Sequence, residues 1–279
     1  MTYKTIVVNC DADPKVSHRL AVATELSQRF GAHVVGLHAR PPFEAPMFFD
    51  GGMPMDSLFQ AYEEAVKADL AKASAAFDKA IKGTHLSSEW RVVDGFADTE
   101  LAVQARYADL LILGQTDPEA DVSNTPGDLP EAVALSTGRP TLVVPHIGAK
   151  KATGKNVLLC WNASRESARA AADALPFLKA ADKVTVLVID PKTTGGGHGA
   201  EPGADVAGWL ARHGAKVTVQ RDVAADADVG NVILSRTADL DADLIVMGIY
   251  GHSRMRELVL GGASRTVLSS MTAPVLMSH

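Results

Sequence analysis

The heptapeptide ADLIVMG (residues 242–248) closely repeats ADLLILG (residues 108–114), and this repeat decides the fold. Two more pairs occur in the same order in both halves: KTIVVNCD (4–11) with KNVLLCWN (155–162), and GRPTLVVPH (138–146) with TAPVLMSH (272–279). Self-similarity over such distances indicates repeated structural units. The 279 residues therefore divide into two related halves.

The halves are joined by IGAKKATGK (147–155), a short polar segment without periodicity, as expected of a linker. We place the boundary near Gly148 and predict domains over residues 1–147 and 155–279. The repeat separation falls from 151 residues in the first pair of strands to 134 in ADLIVMG, so the first half carries about 17 extra residues. The stretch PPFEAPMFFDGGMPMD (41–56) is the expected insertion, and its Phe and Met side chains favour a cover over an apolar pocket or a subunit interface.

Short β-branched runs alternate with apolar residues at helical spacing in each half, which predicts alternating strands and helices. The predicted strands are 5–9, 33–38, 89–93, 110–113 and 141–144 in the first half, and 157–160, 184–189, 217–220, 244–247 and 274–277 in the second. Helical spacing is clear over 164–178 and 229–240. Continuously apolar strands are typical of parallel sheets covered on both faces. The predicted fold is α/β, with two tandem doubly wound domains, each a five-stranded parallel sheet with helices on both faces.

The composition is typical of a soluble globular chain, with 47% hydrophobic residues, 22% charged residues and a formal net charge of -6. The sequence has no basic stripe that would bind nucleic acid, and no apolar run approaches the roughly 20 residues that span a membrane. Cys10 and Cys160 each lie in an apolar run, so a disulfide framework is not expected. Because the N-terminus lacks a secretory signal pattern, we expect a cytoplasmic protein.

Ligands of open α/β sheets bind beyond the carboxyl ends of the strands, where the strand order reverses. In the second half this rule selects MGIYGHSRMRELVLGGASRTVL (247–268), which leaves a strand and enters the last helix. Its first two glycines allow a sharp turn close to a ligand, while Gly261 and Gly262 open a helix whose N–H groups and Ser264 hydroxyl would hold an anion. Plain turn chemistry is the alternative, because the P-loop and the dinucleotide-binding fingerprint are both absent from the sequence.

The spacing Gly248-x2-Gly251-x9-Gly261, between ADLIVMG and an APVLM strand, resembles the G-x2-G-x9-G-[ST] signature of the universal stress protein family. The resemblance covers nearly the whole chain, since KTIVVNCD and VLVID are similar to the family's first two strands. It implies a tandem universal stress protein with an adenine nucleotide hydrolase-like fold. In ATP-binding members the glycine loop wraps the ribose and triphosphate, while the ends of the first two strands hold the adenine.

The resemblance implies a nucleotide site in the second half. On this chain its residues would be Trp161, Asn162, Ala163, Val188, Met247, Gly248, Tyr250, Gly251, His252, Gly261, Gly262, Ala263 and Ser264. Gly262 stands where the family has Ser or Thr, which removes a hydroxyl but keeps a backbone N–H, and Asn162 stands where an Asp is typical. Trp161 would either stack on the base or pack between sheet and helix.

The first half departs further from the family pattern. Its loop GQTDPEADVSNTPGDLPEAV keeps Gly114 but has Asp117 in place of the second glycine. Asp121 and Asp128 add negative charge where phosphates would lie, and like charges repel. Asp11 matches the family's first-strand Asp. We therefore interpret the first half as a partner domain with a degenerate phosphate loop.

The expected function is that of a stress-response or signalling protein that binds ATP or a related adenine nucleotide, with or without Mg2+, in the second half. The alternatives are a scaffold of the same fold that holds another ligand or a protein partner, and a slow ATP hydrolase. Turnover is disfavoured because no general base or Walker-B-type carboxylate can be assigned; we predict no catalytic and no metal-binding residues. The apolar fifth strands resemble the family's pairing strands, which implies an intramolecular pseudo-dimer or a homodimer.

Overall fold

A computed structural model describes residues 2–44, 55–116, 128–149, 152–191, 201–249 and 262–279. The strands are β1 Thr5–Asn9, β2 His33–Arg40, β3 Ser88–Asp94, β4 Leu110–Gly114, β5 Thr141–Val144, β6 Asn156–Cys160, β7 Lys183–Ile189, β8 Val217–Asp222, β9 Leu244–Gly248 and β10 Val275–Ser278. The helices are α1 Val16–Phe30, α2 Met55–Ile81, α3 Ala97–Ala105, α4 Leu129–Thr137, α5 Arg165–Asp173, α6 Leu175–Ala180, α7 Ala204–Arg212, α8 Val229–Asp239 and α9 Gly262–Ser270.

The strands form one 10-stranded sheet in the order β3-β2-β1-β4-β5-β10-β9-β6-β7-β8. All pairings within each half are parallel. Buried residues of α1 and α2 pack on one face of the first half, and those of α3 and α4 pack on the other. In the second half, buried residues of α5, α6 and α7 pack on one face of the sheet, and those of α8 and α9 pack on the other. The predicted α/β fold with tandem doubly wound halves is confirmed.

The helix predicted over 164–178 is interrupted. The structure has α5 up to Asp173 and a separate α6 from Leu175, with Pro176 in the first turn of α6. Proline has no N–H group and its ring clashes with the preceding turn, so it starts a helix well and continues one poorly. Apolar periodicity runs across the break because both helices pack on the same core.

The extra length of the first half lies largely in a helix rather than in a loop. Helix α2 has 27 residues, whereas its counterpart α7 has 9. Residues 45–54 of the expected insertion lie outside the described residues. The described part contacts α2: the Phe43 ring lies 5.5 Å from Phe59 and 5.2 Å from Tyr62, measured between ring centroids. The insertion was therefore predicted in the correct connection, between β2 and β3, but it lengthens a helix instead of a loop.

The fifth strands join the two halves within one chain. Strands β5 and β10 pair antiparallel, with Val143 opposite Val275 and Thr141 opposite Met277. The implied intramolecular pseudo-dimer is thus present. Because β5 also pairs with β4 and β10 also pairs with β9, both edges of both strands are used. A homodimer through these strands would require this internal pairing to open.

An aromatic cluster reinforces the junction between the halves. Phe177 of α6 packs against Tyr3 and Phe30 of the first half, each with a ring-centroid distance of 5.5 Å. The Tyr3 hydroxyl donates to the carbonyl oxygen of Asp173 at 2.7 Å. The halves therefore share one core in addition to one sheet, since residues of both belong to the same buried cluster.

The linker is anchored from both sides. The Asp243 carboxylate accepts hydrogen bonds from the backbone N–H groups of residues 154–156, at 2.7, 2.9 and 2.9 Å. From the first half, the Arg29 guanidinium donates to the carbonyl oxygen of Thr153 at 2.6 Å. Partial burial raises the pKa of Asp243, although these hydrogen bonds oppose the shift. The position of the linker consequently depends on the Asp243 carboxylate and the Arg29 guanidinium.

Glu25, on α1 near this linker, predicts a pH dependence of stability. Burial raises the pKa of the Glu25 carboxyl above its ordinary 4.5, and the charge of Arg29 only partly offsets this. The folded state then binds more protons than the unfolded state, so the free energy of unfolding falls as pH rises from 4.5 through the raised pKa. We expect Glu25→Gln to remove this part of the fall, as measured by urea denaturation between about pH 4.5 and pH 7. Glu64→Gln, at an exposed position of α2, is the control, and a steeper fall in Glu25→Gln than in the parent would contradict the prediction.

Candidate functional site

The strand order reverses between β6 and β9 in the second half and between β1 and β4 in the first. Strands β6 and β9 run side by side, with Leu159 opposite Val246, so their carboxyl ends meet at one edge of the sheet. Ligands of doubly wound sheets bind at such an edge. The β6–α5 loop, the end of β9 and the start of α9 are therefore the elements that position the candidate site.

Gly248 ends β9 and is needed for packing. A Cβ at this position would lie 2.6 Å from the backbone carbonyl carbon of Glu166 and 2.7 Å from the backbone nitrogen of Ser167. The residue lies within the strand and does not have a left-handed φ. The structure gives Gly248 a packing role, since its missing side chain lets the start of α5 approach the end of β9. The predicted turn continues into residues outside the described part of the chain and stays a prediction.

The β6–α5 loop holds three predicted site residues. Trp161 is half-buried and packs against the core, and its backbone N–H donates to the carbonyl oxygen of Leu187 at 2.8 Å. Of the two interpretations of this side chain, the structure favours packing. Asn162 is exposed, and its side-chain oxygen accepts from the Ser164 N–H at 3.1 Å. Ala163 follows with a φ of 58°, which turns the chain into α5.

Val188 and Met247 lie in the two cores that flank the sheet. Val188 is fully buried on the face covered by α5 to α7, and Met247 is 5% exposed on the opposite face. A Cβ on Gly203 would lie 3.1 Å from Cγ2 of Val188, so α7 closes over this side chain. Ligand contacts from these two positions would therefore involve the main chain rather than the side chains.

Helix α9 begins at the candidate anion site. Gly262 is exposed, Ala263 is half-buried and the Ser264 side chain is buried. Gly230 of α8 sets the distance between the two helices, because a Cβ there would lie 2.6 Å from Cβ of Thr266 and 2.9 Å from the carbonyl oxygen of Ala263. Gly230 was not predicted as part of the site. Its signal in the sequence is a glycine inside a helical pattern, which often has a packing reason.

Asp228 is a second residue that the sequence prediction missed. It is the N-cap of α8, and its Oδ2 accepts from the Gly230 N–H at 3.0 Å. A Cβ on Gly262 would lie 3.5 Å from Asp228 Oδ1. A carboxylate therefore lies beside the first residue of α9, where the N-terminal N–H groups of a helix favour negative charge. No sequence motif links the two positions, because they are on different helices.

Four predicted site residues lie outside the described residues: Tyr250, Gly251, His252 and Gly261. The same holds for Asp117 and Asp121 of the first-half loop. Their roles stay predictions.

In the first half, an arginine occupies the edge where the strand order reverses. Arg19 is buried; its Nε donates to the carbonyl oxygen of Asn9 at 2.7 Å, and its guanidinium pairs with Asp11. A Cβ on Gly114 would lie 2.5 Å from Nη1 of Arg19. The carboxylate that matches the family's first-strand Asp is thus already neutralised within the protein.

A histidine fills the neighbouring position at the end of β2. Asn9 pairs with Leu37 in the first half and Cys160 pairs with Leu187 in the second, so His38 corresponds to Val188. His38 is buried, its Nδ1 lies 2.7 Å from the carbonyl oxygen of Cys10, and its ring stacks on Trp90 at 6.2 Å. The strand ends that the family resemblance assigns to adenine are therefore occupied by side chains in the first half.

The local environment shifts the pKa values of two groups near the second-half site, Cys160 and Glu166. Burial raises the pKa of the Cys160 thiol to about 12, so it stays protonated and is a poor nucleophile. Burial opposes ionisation of Glu166, but hydrogen bonds from Arg165, from the backbone and from Ser164 outweigh it, and the net pKa is lowered.

Among the described residues, no group of three or more His, Cys, Asp or Glu side chains could hold a metal ion. None of the described helices has the length and apolarity needed to span a membrane.

Comparison with known proteins agrees with this architecture. The chain is similar in fold to a universal stress protein from Archaeoglobus fulgidus DSM 4304, with a TM-score of 0.72 and 15% identity over 98% of this chain and 97% of that one. A protein of unknown function from Pseudomonas aeruginosa PAO1 matches with a TM-score of 0.57 and 14% identity over 99% and 92% of the two chains. A universal stress protein in complex with cAMP aligns with 52% of this chain and 99% of its own, at 19% identity and a TM-score of 0.33. No curated protein sequence matches the chain.

The family model of the universal stress proteins matches twice, over residues 2–145 and 154–279. The two matches coincide with the two halves of the sheet and leave the linker between them. Together they cover nearly the whole chain, and the chain therefore belongs to the universal stress protein family.

Proposed function

We propose that this protein binds ATP or a related adenine nucleotide, with or without Mg2+, in its second half and acts in cytoplasmic stress signalling through binding rather than turnover. The observation that carries the proposal is the start of α9 at an exposed glycine, directly after the G-x2-G-x9-G spacing. Backbone N–H groups at a helix N-terminus favour a phosphate without any lysine. The β6–α5 loop, with Asn162 exposed, would lie at the nucleoside end.

The contrast between the halves supports a single site. In the first half, Arg19 and His38 fill the strand ends. By sequence count from the matched strands, the second half has Ala170 and Val188 at these positions. The N-cap of α4 is Asp128, whereas the residue that corresponds to it by the repeat separation of 134 residues is Gly262, the first residue of α9. A carboxylate at this place repels a phosphate, so the second half is the better acceptor.

The proposal predicts one nucleotide per chain, measurable by calorimetric titration and by native mass spectrometry. Gly262→Asp gives the second half the residue found in the first, and we expect it to weaken ATP binding by about tenfold or more, because it brings a second carboxylate close to the phosphates. Gly262→Ala is the matched neutral control. A Cβ at this position lies 3.5 Å from Asp228 Oδ1, an ordinary contact, so binding should stay within about twofold.

Two results would overturn this proposal. One is binding of two nucleotides per chain with equal affinity. The other is an unchanged melting temperature of the parent protein in about 1 mM ATP, because a ligand of the folded state raises stability once its concentration exceeds its Kd.

A scaffold that holds a less charged ligand is the second candidate. It is favoured by the Asp228 carboxylate beside Gly262 and by the absence of a hydroxyl at residue 262. Mass spectrometry of the ligand released from protein purified without added nucleotide separates the candidates, since an adenine nucleotide supports the first and another molecule supports the second.

A further inference from the structure

Asp228 is placed to act on any anion at the start of α9. Its Oδ1 lies 3.5 Å from the position of a Cβ on Gly262. A phosphate oxygen that accepts a hydrogen bond from the first N–H groups of α9 would come within about 7 Å of this carboxylate. That distance is inside the Debye length of about 8 Å at physiological ionic strength, so the two charges interact.

The carboxylate of Asp228 is exposed to solvent and is held in place by a capping hydrogen bond. Its Oδ2 is held by the N–H of Gly230 at 3.0 Å, as the cap of α8. Gly230 in turn packs closely against Ala263 and Thr266, since a Cβ on Gly230 would lie within 3 Å of both. The cap, the glycine and the first turn of α9 therefore form one packed unit, which fixes the position of the negative charge relative to the helix.

Among the residues that the structure describes, cations on α8 and α9 act on carboxylates other than Asp228. Burial raises the pKa of the Glu131 carboxyl on α4, and the positive charge of Arg265 on α9 offsets only part of this shift. Arg236 of α8 pairs with Asp222 at 2.6 Å and with Asp239 at 2.6 Å. Arg236 is thus paired with two other carboxylates, and Arg265 acts electrostatically on Glu131.

We propose that Asp228 sets the phosphate charge that the second-half site accepts: it lowers the affinity for polyphosphates and leaves the affinity for the nucleoside unchanged. This inference rests on the proposed nucleotide site. The selection is electrostatic, because each added phosphate group brings more negative charge towards a fixed carboxylate, while adenine and ribose carry none. The site would then favour nucleotides with few phosphates over ATP, to a degree that Asp228 determines.

Asp228→Asn tests the proposal. Asparagine caps a helix as well as aspartate does, so the substitution removes charge and keeps the hydrogen bond to Gly230. Adenosine, AMP, ADP and ATP are titrated by calorimetry, without Mg2+, at low and at high salt. We expect ATP to bind about three- to tenfold more tightly to the variant, AMP to gain less and adenosine not to change, with the gain shrinking at high salt.

Asp226→Asn is the matched control, because Asp226 lies in the same loop, is exposed and does not cap α8. It should change ATP affinity by less than about twofold. Equal ATP affinities for the parent and Asp228→Asn would overturn the inference, and so would weaker ATP binding by the variant or equal gains for adenosine and ATP. If the parent and both variants bind none of the four compounds, the proposed function itself fails, which is a different result from bound nucleotide without charge selection.

Discussion

Phe177→Ala is expected to lower the free energy of unfolding by about 3–5 kcal/mol, the usual cost of removing a buried phenylalanine ring. Phe177 is fully buried and contacts the rings of Tyr3 and Phe30 across the junction. The Arg29 guanidinium also lies 5.8 Å from its ring centroid. The substitution therefore removes packing within the second half and between the halves at once.

Urea denaturation followed by circular dichroism measures this loss. Phe96→Ala is the control: Phe96 is 49% exposed, so we expect a change below about 1 kcal/mol. Because the halves share one core, we expect the parent to unfold in a single transition, which should broaden or divide in Phe177→Ala. A loss similar to that of Phe96→Ala would show that the aromatic cluster does not join the halves.

Gly248→Ala is expected to cost about 3 kcal/mol, at the upper end of the cost of overpacking. The added Cβ would meet backbone atoms of Glu166 and Ser167 at 2.6 and 2.7 Å, and backbone at the start of a packed helix cannot move aside cheaply. Helix α5 or the end of β9 must shift, so the β6–α5 loop would also lose its position at the candidate site. We therefore expect weaker ligand binding in addition to lower stability.

The chain supplies a matched comparison in Gly114→Ala. There the added Cβ would meet Nη1 of Arg19 at 2.5 Å. Arg19 is held by Asn9 and Asp11, but the end of a side chain can shift at lower cost than the backbone of a packed helix. The loss should be less than half of that for Gly248→Ala, measured by the same urea titrations. Equal losses in the two variants would contradict the assignment of Gly248 to helix–strand packing.

Local patterns were sufficient for most of the fold. All ten predicted strands agree with the observed ones to within two residues at each end, because a buried parallel strand is a short apolar run bounded by polar residues. The break at Pro176 could also be read from the sequence, since proline marks helix starts. The length of α2 was not predicted, because the Pro- and Gly-containing stretch before Met55 is typical of a loop, whereas the extra residues lie largely in the helix that begins there.

Sequence patterns predicted less of the candidate site than of the fold. The glycine spacing of the last loop indicated where an anion would bind, but it did not reveal why Gly248 is needed, because the answer lies in α5, early in the second half. The aspartates of the first-half loop were visible in the sequence. The sequence did not show that the Arg19 and His38 side chains fill the strand ends of the first half, because neither residue belongs to a phosphate motif.

By itself, the sequence determined that the protein is a tandem repeat of one α/β unit and that the two loops after the fourth strands differ. These are properties of periodicity and spacing, which act locally along the chain. Tertiary structure alone decided that β5 and β10 pair within one chain, that Arg19 closes the first half, and that the Asp228 carboxylate lies beside α9. Each of these depends on a distance between segments far apart in sequence, and such distances are set only when the sheet assembles and the helices pack on its faces.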